Sequence, residues 1–187
     1  MSYWGNRAAG LLIRSEDGNY LLLLRSQDVY DPGVWGIPGG RVDEGEDPKD
    51  AAKRETKEEI GSWRLRVFAE PIHVWRAPDA DFEYQTFLAI SLDGELEPKL
   101  NWENDDAIWA STDTVLSGEI DGRRVHPGVV RVVRALLVAP SRIQRPNRPT
   151  AHVIVLHEPS VRSITKPCTA CRDECSCTYC SKRQRCP

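Results

Sequence analysis

The chain has 187 residues, with 25 Lys+Arg against 28 Asp+Glu, a formal net charge of -3 and 40% hydrophobic residues. That is enough apolar material for one sizeable core and too little length for two large domains. The longest apolar runs, Tyr20–Leu24 and Ala135–Ala139, fall far short of the roughly 20 residues a membrane span needs, and Met1–Arg7 offers no apolar signal core, so the expectation is a cytoplasmic protein with no membrane partner.

In chain order, Ala8–Ile13 and Tyr20–Leu24, joined by Glu16-Asp17-Gly18-Asn19, read as two buried strands of a hairpin. After Asp31-Pro32-Gly33, Trp35–Ile37 reads as a short strand stopped by Pro38-Gly39-Gly40, because proline lacks an amide donor and glycine permits a sharp change of direction. Asp47 is suited to capping a helix whose first residue is Pro48 and which ends near Gly61. Further strands are expected at Arg64–Phe68, Ile72–Trp75, Phe82–Ile90 and Ala107–Ala110, and a second helix at His126–Val138, where Val129, Val130, Val133, Leu136 and Leu137 approximate helical spacing. From Pro140 to Pro149 the composition is that of a linker, followed by the apolar run His152–Leu156 and a cysteine cluster. Charge divides at the same point. Residues 141–187 hold nine Lys/Arg and three Asp/Glu, whereas residues 1–140 hold 16 and 25, so a body over 1–140 and a basic tail over 141–187 are predicted.

Chemistry concentrates on the first helix. Glu55, Glu58 and Glu59 stand at i, i+3 and i+4, on one helical face. Taken alone, such a run flanked by Lys53, Arg54 and Lys57 describes a solvated surface with local ion pairs. What precedes it changes the reading. Gly39-Gly40 allows close approach to a ligand, Glu46 lies just before the cap, and Arg54 adjoins the first carboxylate. A diphosphate resists attack by water until its charge is neutralised, and a hard divalent cation on oxygen ligands supplies that neutralisation. Three carboxylates on one face, with a backbone carbonyl at Gly39, form a donor set for Mg²⁺ or Mn²⁺.

Gly40, five residues, Glu46, seven residues and then Arg54-Glu55-Thr56-Lys57-Glu58-Glu59-Ile60-Gly61 resembles the Nudix box, G-x5-E-x7-R-E-U-x-E-E-x-G-U with U aliphatic. All the fixed positions match, which by average composition happens in on the order of one chain in a million. The two U positions depart, being Thr56 and Ser62. The resemblance extends over about residues 6–138, through Trp35–Gly40 and the acidic loop Trp102–Trp109. It implies a Nudix-type α/β/α sandwich with a mixed sheet, here followed by a cysteine-rich extension. It also implies metal-dependent hydrolysis of a phosphoanhydride in a nucleoside diphosphate linked to another moiety, whether a nucleoside triphosphate, ADP-ribose or a related nucleotide. Glu55, Glu58, Glu59 and the Gly39 carbonyl are implied as metal ligands, with Arg54 orienting Glu55 or Glu46. The general base is implied to be Glu55 or an acid of the later loop, Glu103 or Asp106.

Other residues carry two readings. Arg25, ending the second strand, is a phosphate contact or a surface arginine. Trp4, Trp35, Trp75, Phe82 and Tyr84 are packing residues or aromatic contacts to a base or sugar. His73 and His126 lack ligand spacing and read as packing and turn residues. Pro78 occupies a place where ADP-ribose-cleaving members tend to carry proline, while the short amino-terminal region is more like the nucleoside-triphosphate members. Cys168-x2-Cys171 and Cys177-x2-Cys180 form two thiolate pairs suited to structural zinc. The alternatives are a disordered tail with free thiols or disulfides formed on oxidation. Lys166, Arg172, Lys182, Arg183 and Arg185 around them make nucleic acid a candidate partner. An alternative function follows: a nucleotide-sensing module with little turnover whose tail binds zinc or nucleic acid.

Overall fold

The computed structural model describes residues 6–78, 81–138 and the backbone of 152–155. Trp4, the linker, the four zinc-candidate cysteines and the basic residues around them lie outside the described residues.

The expected hairpin is β1 (Arg7–Arg14) and β2 (Tyr20–Arg25). Two short strands follow, β3 (Trp35–Gly36) on β2 and β4 (Gly39–Arg41) antiparallel on β1. The chain then enters helix α1 (Pro48–Ile60). Next come β5 (Arg64–Val67), β6 (His73–Arg76), β7 (Glu83–Ser91) and β8 (Asn104–Ala110). A six-residue helix α2 (Thr112–Ser117), a small ribbon of β9 (Glu119–Ile120) and β10 (Arg123–Arg124), and helix α3 (Pro127–Val138) complete the body. Strand β11 (His152–Val155) pairs antiparallel with β5, so one edge strand of the sheet comes from beyond residue 140.

The sheet runs β11-β5-β7-β1-β2-β3, with β4 also on β1, β6 on β7 and β8 on β2. Its β1–β7 pair is parallel and its other ladders are antiparallel, giving the expected mixed sheet. Both faces are covered, which is why Tyr20–Leu24 reads as an unbroken apolar run rather than an alternation. Alternate residues part to opposite sides. Ala9, Leu11, Ile13, Leu21 and Leu23 pack with α1 in one cluster, and Leu12, Tyr20, Leu22 and Leu24 pack with α2 and α3 in the other. Each fully buried leucine among them contributes roughly 1.5–3 kcal/mol.

Helix α1 forms where its capping chemistry predicts. Asp47 accepts from the amides of Lys49 and Asp50, Pro48 opens the helix, and the Gly61 amide closes it on the Lys57 carbonyl. Ala51 and Ala52 are fully buried, so their small side chains let the helix lie close on β1. The two departures from the aliphatic pattern are accommodated. Thr56 is buried with its hydroxyl donating to the Ala52 carbonyl at 2.6 Å, and beside exposed Ser62 it is Trp63 that enters the core, stacking on Trp109 at 5.8 Å.

The sequence reading has no β4, α2 or β9–β10 ribbon, each too short to produce a periodic signal. It also starts β8 three residues late, because Asn104, Asp105 and Asp106 are polar, although Asn104 and Asp106 pair with Arg25 and Leu24 of β2.

Close approach fixes one glycine of β1. Gly10 faces Gly39 of β4, and a Cβ on Gly10 would collide with the Tyr84 hydroxyl and lie 2.7 Å from the Pro38 carbonyl oxygen. Gly10→Ala is therefore expected to destabilise the protein by about 2 kcal/mol or more; an unchanged urea midpoint would show that β4 does not seat against β1 as described.

Candidate active site

Helix α1 carries its acids toward the start of β4, and the helical register sorts them by exposure. Glu59 is 4% exposed, Glu55 is half-buried and Glu58 is largely exposed. Two donors from different elements grip the Glu59 carboxylate. The Gly39 amide donates to Oε1 at 2.7 Å and Asn104 Nδ2 to Oε2 at 2.8 Å. Even so, burial pushes the Glu59 acid up to about 7, with the carboxylates of Glu103 and Glu55 adding to the rise against the two hydrogen bonds. Asn104 reaches this position because the β2–β8 ladder shifts register between Leu24 and Arg25, setting Asn104 opposite Arg25.

Arg54 organises the exposed side of the cluster. Its Nε and Nη2 donate to the two oxygens of Glu46 at 3.0 and 2.9 Å, Nη2 also to the Arg41 carbonyl at 3.0 Å, and Nη1 to Glu55 Oε1 at 2.7 Å. Glu58 lies 3.6 Å from Nη1. The fork holds Glu46 below the usual carboxylate range and raises the guanidinium's own affinity for its proton. For Glu55, burial wins over Arg54 and the acid is pushed up, with Glu58 and Glu103 contributing repulsion. Gly40 is the residue that lets this carboxylate sit against β4. A Cβ there would come within 2.6 Å of the Glu55 carboxyl carbon and Oε2.

Glu103 is partly buried between two residues that bond Glu59, Asn101 through its amide and Asn104 through its side chain, and its charge raises the proton affinity of both Glu55 and Glu59. Its backbone is fixed by Ser26, whose amide donates to the Glu103 carbonyl at 2.8 Å, and by the Asn101 side chain, which accepts from the Glu103 amide. Asp106 is elsewhere. It lines a separate groove with Leu21, Glu95 and Trp109, and its Oδ1 accepts from the Ala107 amide. The two candidate loop acids are thereby separated, and only Glu103 joins the α1 carboxylates.

Beyond Gly39 and Gly40 a cavity of about 670 Å³ opens. One wall is the shared face of β6 and β7, where His73, Trp75, Phe82, Tyr84 and Thr86 alternate inward, and the facing wall is the start of α3, from His126 to Val132. Arg25 also lines it, with Nε held by the Tyr30 carbonyl at 2.7 Å. Trp75 and Phe82 meet edge to face at 6.1 Å. Tyr84, beside Gly39, is a weaker acid than usual because it is buried and near Glu59. Only Trp35, among the described aromatics considered from sequence, is a plain core residue at 3% exposure. Trp75, Phe82, Tyr84, His73 and His126 line the cavity instead. Sequence reasoning missed Asn104 altogether, although a polar residue inside the acidic loop is the available signal.

The donors suit a hard divalent cation. They are carboxylate oxygens crowded enough to raise one another's proton affinity, a burden that a cation relieves. As they stand, Glu59 is turned to Gly39 and Asn104 and Glu55 to Arg54, and no three acidic, histidine or cysteine groups among the described residues already converge on one point.

Comparison with known proteins agrees with this arrangement. A family model for the NUDIX domain matches residues 5–133. A Mycobacterium tuberculosis protein named "Putative 8-oxo-dGTP diphosphatase 3" is 33% identical over 153 residues, covering 76% of this chain and 67% of its own. The Escherichia coli protein named "Nucleoside triphosphatase NudI" is 30% identical over 118 residues, covering 56% of this chain and 82% of its own. A solved Nudix hydrolase from M. smegmatis, RenU, superposes with a TM-score of 0.62 at 27% identity, covering 78% of this chain and 92% of that one. With the box residues assembled on α1 and β4 and the family model matching well over half of the chain, the chain belongs to the Nudix family of hydrolases.

Proposed function

We propose that this protein is a pyrophosphohydrolase that uses Mg²⁺ or Mn²⁺ to cleave a phosphoanhydride in a nucleoside diphosphate linked to another moiety. The observation that carries the reading is the buried Glu59 carboxylate, crowded by Glu55 and Glu103 and bonded to the amide of Gly39, which lines a nucleotide-sized cavity. Relatives named for 8-oxo-dGTP and for nucleoside triphosphates support a nucleotide substrate.

Glu55, Glu58, Glu59 and the Gly39 carbonyl would hold the metal, which neutralises phosphate charge and supplies a Lewis acid. The protein residues do the rest. Gly39 and Asn104 fix Glu59 in place, and Arg54 fixes Glu55, so the acids are set before substrate arrives. Arg25 is placed to meet a phosphate at the cavity side. In the chemical step a water oxygen bonds to phosphorus, the bridging oxygen departs with the electron pair of the broken bond, and a carboxylate takes the water's proton. Glu103 suits that last role better than Glu55, because a 2.7 Å hydrogen bond from Arg54 already occupies the Glu55 carboxylate. The sensing alternative fits less well, since a binding module has no need for a complete carboxylate set. Incubation with nucleoside triphosphates, ADP-ribose, nucleotide sugars and dinucleoside polyphosphates tests the proposal. Hydrolysis of at least one class in Mg²⁺, abolished by EDTA, is expected; turnover undiminished in EDTA with no metal present would overturn it.

Glu59→Gln has two expected effects of opposite sign. Loss of a ligand charge lowers turnover at least about a hundredfold. Stability moves the other way in metal-free protein. The native acid holds its proton up to about pH 7 whereas the unfolded chain releases it near 4.5, so wild-type stability falls as pH rises through that window, by roughly 1–3 kcal/mol. Thermal melts in EDTA at pH 5.5 and 8 should show this loss in the wild type and not in Glu59→Gln. Equal pH dependence in both would mean that Glu59 is not the buried acid.

The box, Glu103 and α3 all precede residue 140, so the hydrolytic unit is proposed to be 1–140, with 141–187 outside it. A chain ending at Pro140 loses β11 from the β5 edge, far from the carboxylates in the sheet order. It should hydrolyse a small nucleotide within about threefold of the full chain, an effect under about 1 kcal/mol. A folded but inactive product would put the tail in the active site.

A further inference from the structure

The loop acid Glu103 is aimed by its backbone. Its carboxylate makes no hydrogen bond or ion pair among the described residues, and the carboxylates of Glu55 and Glu59 repel it. Trp102, the residue before it, is 67% exposed, so that side chain does not pin the turn to the core. Hydrogen bonds on either side of Glu103 do the fixing. Its carbonyl accepts from the Ser26 amide at 2.8 Å, and its amide donates to Asn101 Oδ1 at 3.0 Å, which is an Asx turn. The Asn104 amide closes on the Asn101 carbonyl at 3.4 Å, so residues 101–104 form a β-turn with Glu103 in its third position. Asn101 also ties this turn to α1. Its amide donates to the Glu59 carbonyl at 3.2 Å, and its Oδ1 accepts a second bond, at 3.3 Å, from the Asn104 Nδ2 that holds Glu59 Oε2.

We propose that Asn101 is a positioning residue for hydrolysis, whose side chain aims the Glu103 carboxylate at the attacking water while its backbone keeps the turn in register with Glu59. The inference rests on the reading of Glu103 as the base and goes beyond it. The two tasks of Asn101 are divided by atom. Its amide bond to the Glu59 carbonyl survives any change of side chain, whereas the bond to the Glu103 amide belongs to the side chain alone. Without that bond the peptide entering Glu103 loses its restraint, and a shift of about 1 Å in a reacting group can cost about a hundredfold in rate. Glu59 stays gripped by Gly39 and Asn104 throughout, so the chemical step suffers and the metal site does not.

The test uses the full chain and a nucleotide that the wild type hydrolyses. Asn101→Ala removes the acceptor, and Asn101→Ser supplies a weaker one of the same kind. Each is made in the wild type and in Glu103→Gln, and kcat, KM and the Mg²⁺ concentration for half-activation are measured. Asn101→Ala should lower kcat about tenfold, with KM and the Mg²⁺ requirement within about twofold, and Asn101→Ser should recover about threefold of the loss. In Glu103→Gln, where the base is already gone, Asn101→Ala should change kcat by less than about twofold. If Asn101→Ala does not fold, Asn101→Ser carries the same comparison, with an expected loss of about threefold in the wild type alone. An equal loss in both backgrounds is the mark of a merely structural role, and that result, or an unchanged kcat, overturns the proposal while the hydrolase reading stands. Normal kcat in Glu103→Gln overturns the base assignment and this proposal together. A wild type that hydrolyses no nucleotide ends the hydrolase reading itself, and the proposal with it.

Discussion

One buried carboxylate governs how this site is built. Glu59 sits at 4% exposure, where an unpaired charge is costly, and two hydrogen bonds from β4 and β8 hold it without fully compensating for burial. Much of the surrounding geometry serves that placement. Gly10 lets β4 lie on β1, which brings the Gly39 amide to the helix. The register shift in the β2–β8 ladder brings Asn104 from the other side. The small faces of Ala51 and Ala52 let α1 come close enough for its acid to reach both donors. Each of these costs stability or regularity elsewhere, as expected where function and folding compete.

Arg54 solves the complementary problem at the exposed edge. Four carboxylates, from Glu46, Glu55, Glu58 and Asp43, lie within 4 Å of its guanidinium. A lysine has three donors on a single centre, whereas the planar fork serves Glu46 with two bonds and Glu55 with a third. The result is a division of labour between α1 and the loop before it. Glu46 is locked by charge-assisted bonds, and Glu55 is restrained but still raised in pKa. Glu59 is fixed by neutral donors that leave its charge uncancelled. Three neighbouring acids, one before α1 and two on it, are thus held in three different ways.

The sequence made α1 and its acids legible because capping and helical periodicity are local signals, written in consecutive residues such as Asp47, Pro48 and Gly61. Roles for those acids are implied by resemblance to the Nudix box and not by spacing alone. The cavity was much less legible. Trp75 and Tyr84 are paired across β6 and β7, and they face His126 and Arg131 of α3 through a packing arrangement that no window of sequence encodes. For that reason His73 and His126, which read as packing and turn residues, line the cavity, and the two readings of Trp75, Phe82 and Tyr84 stayed open in the sequence. Asn104 escaped notice because its position depends on a ladder irregularity, and Glu103 and Asp106 read alike because composition alone does not tell that Asp106 lines a separate groove. Strand β11 shows the same limit, since an apolar run after a linker gives no hint that its partner is β5.

The cavity, too, is a product of the sheet and not of any one loop. The sheet joins β4, β2 and β7 through β1, so Gly39 and Gly40, which sit against the Glu59 and Glu55 carboxylates, line the same cavity as the paired residues of β6 and β7. Trp75 and Phe82 there offer an uncharged surface suited to a ring. The same strand pairing that places the Gly39 amide on Glu59 therefore also places the aromatic lining beside it.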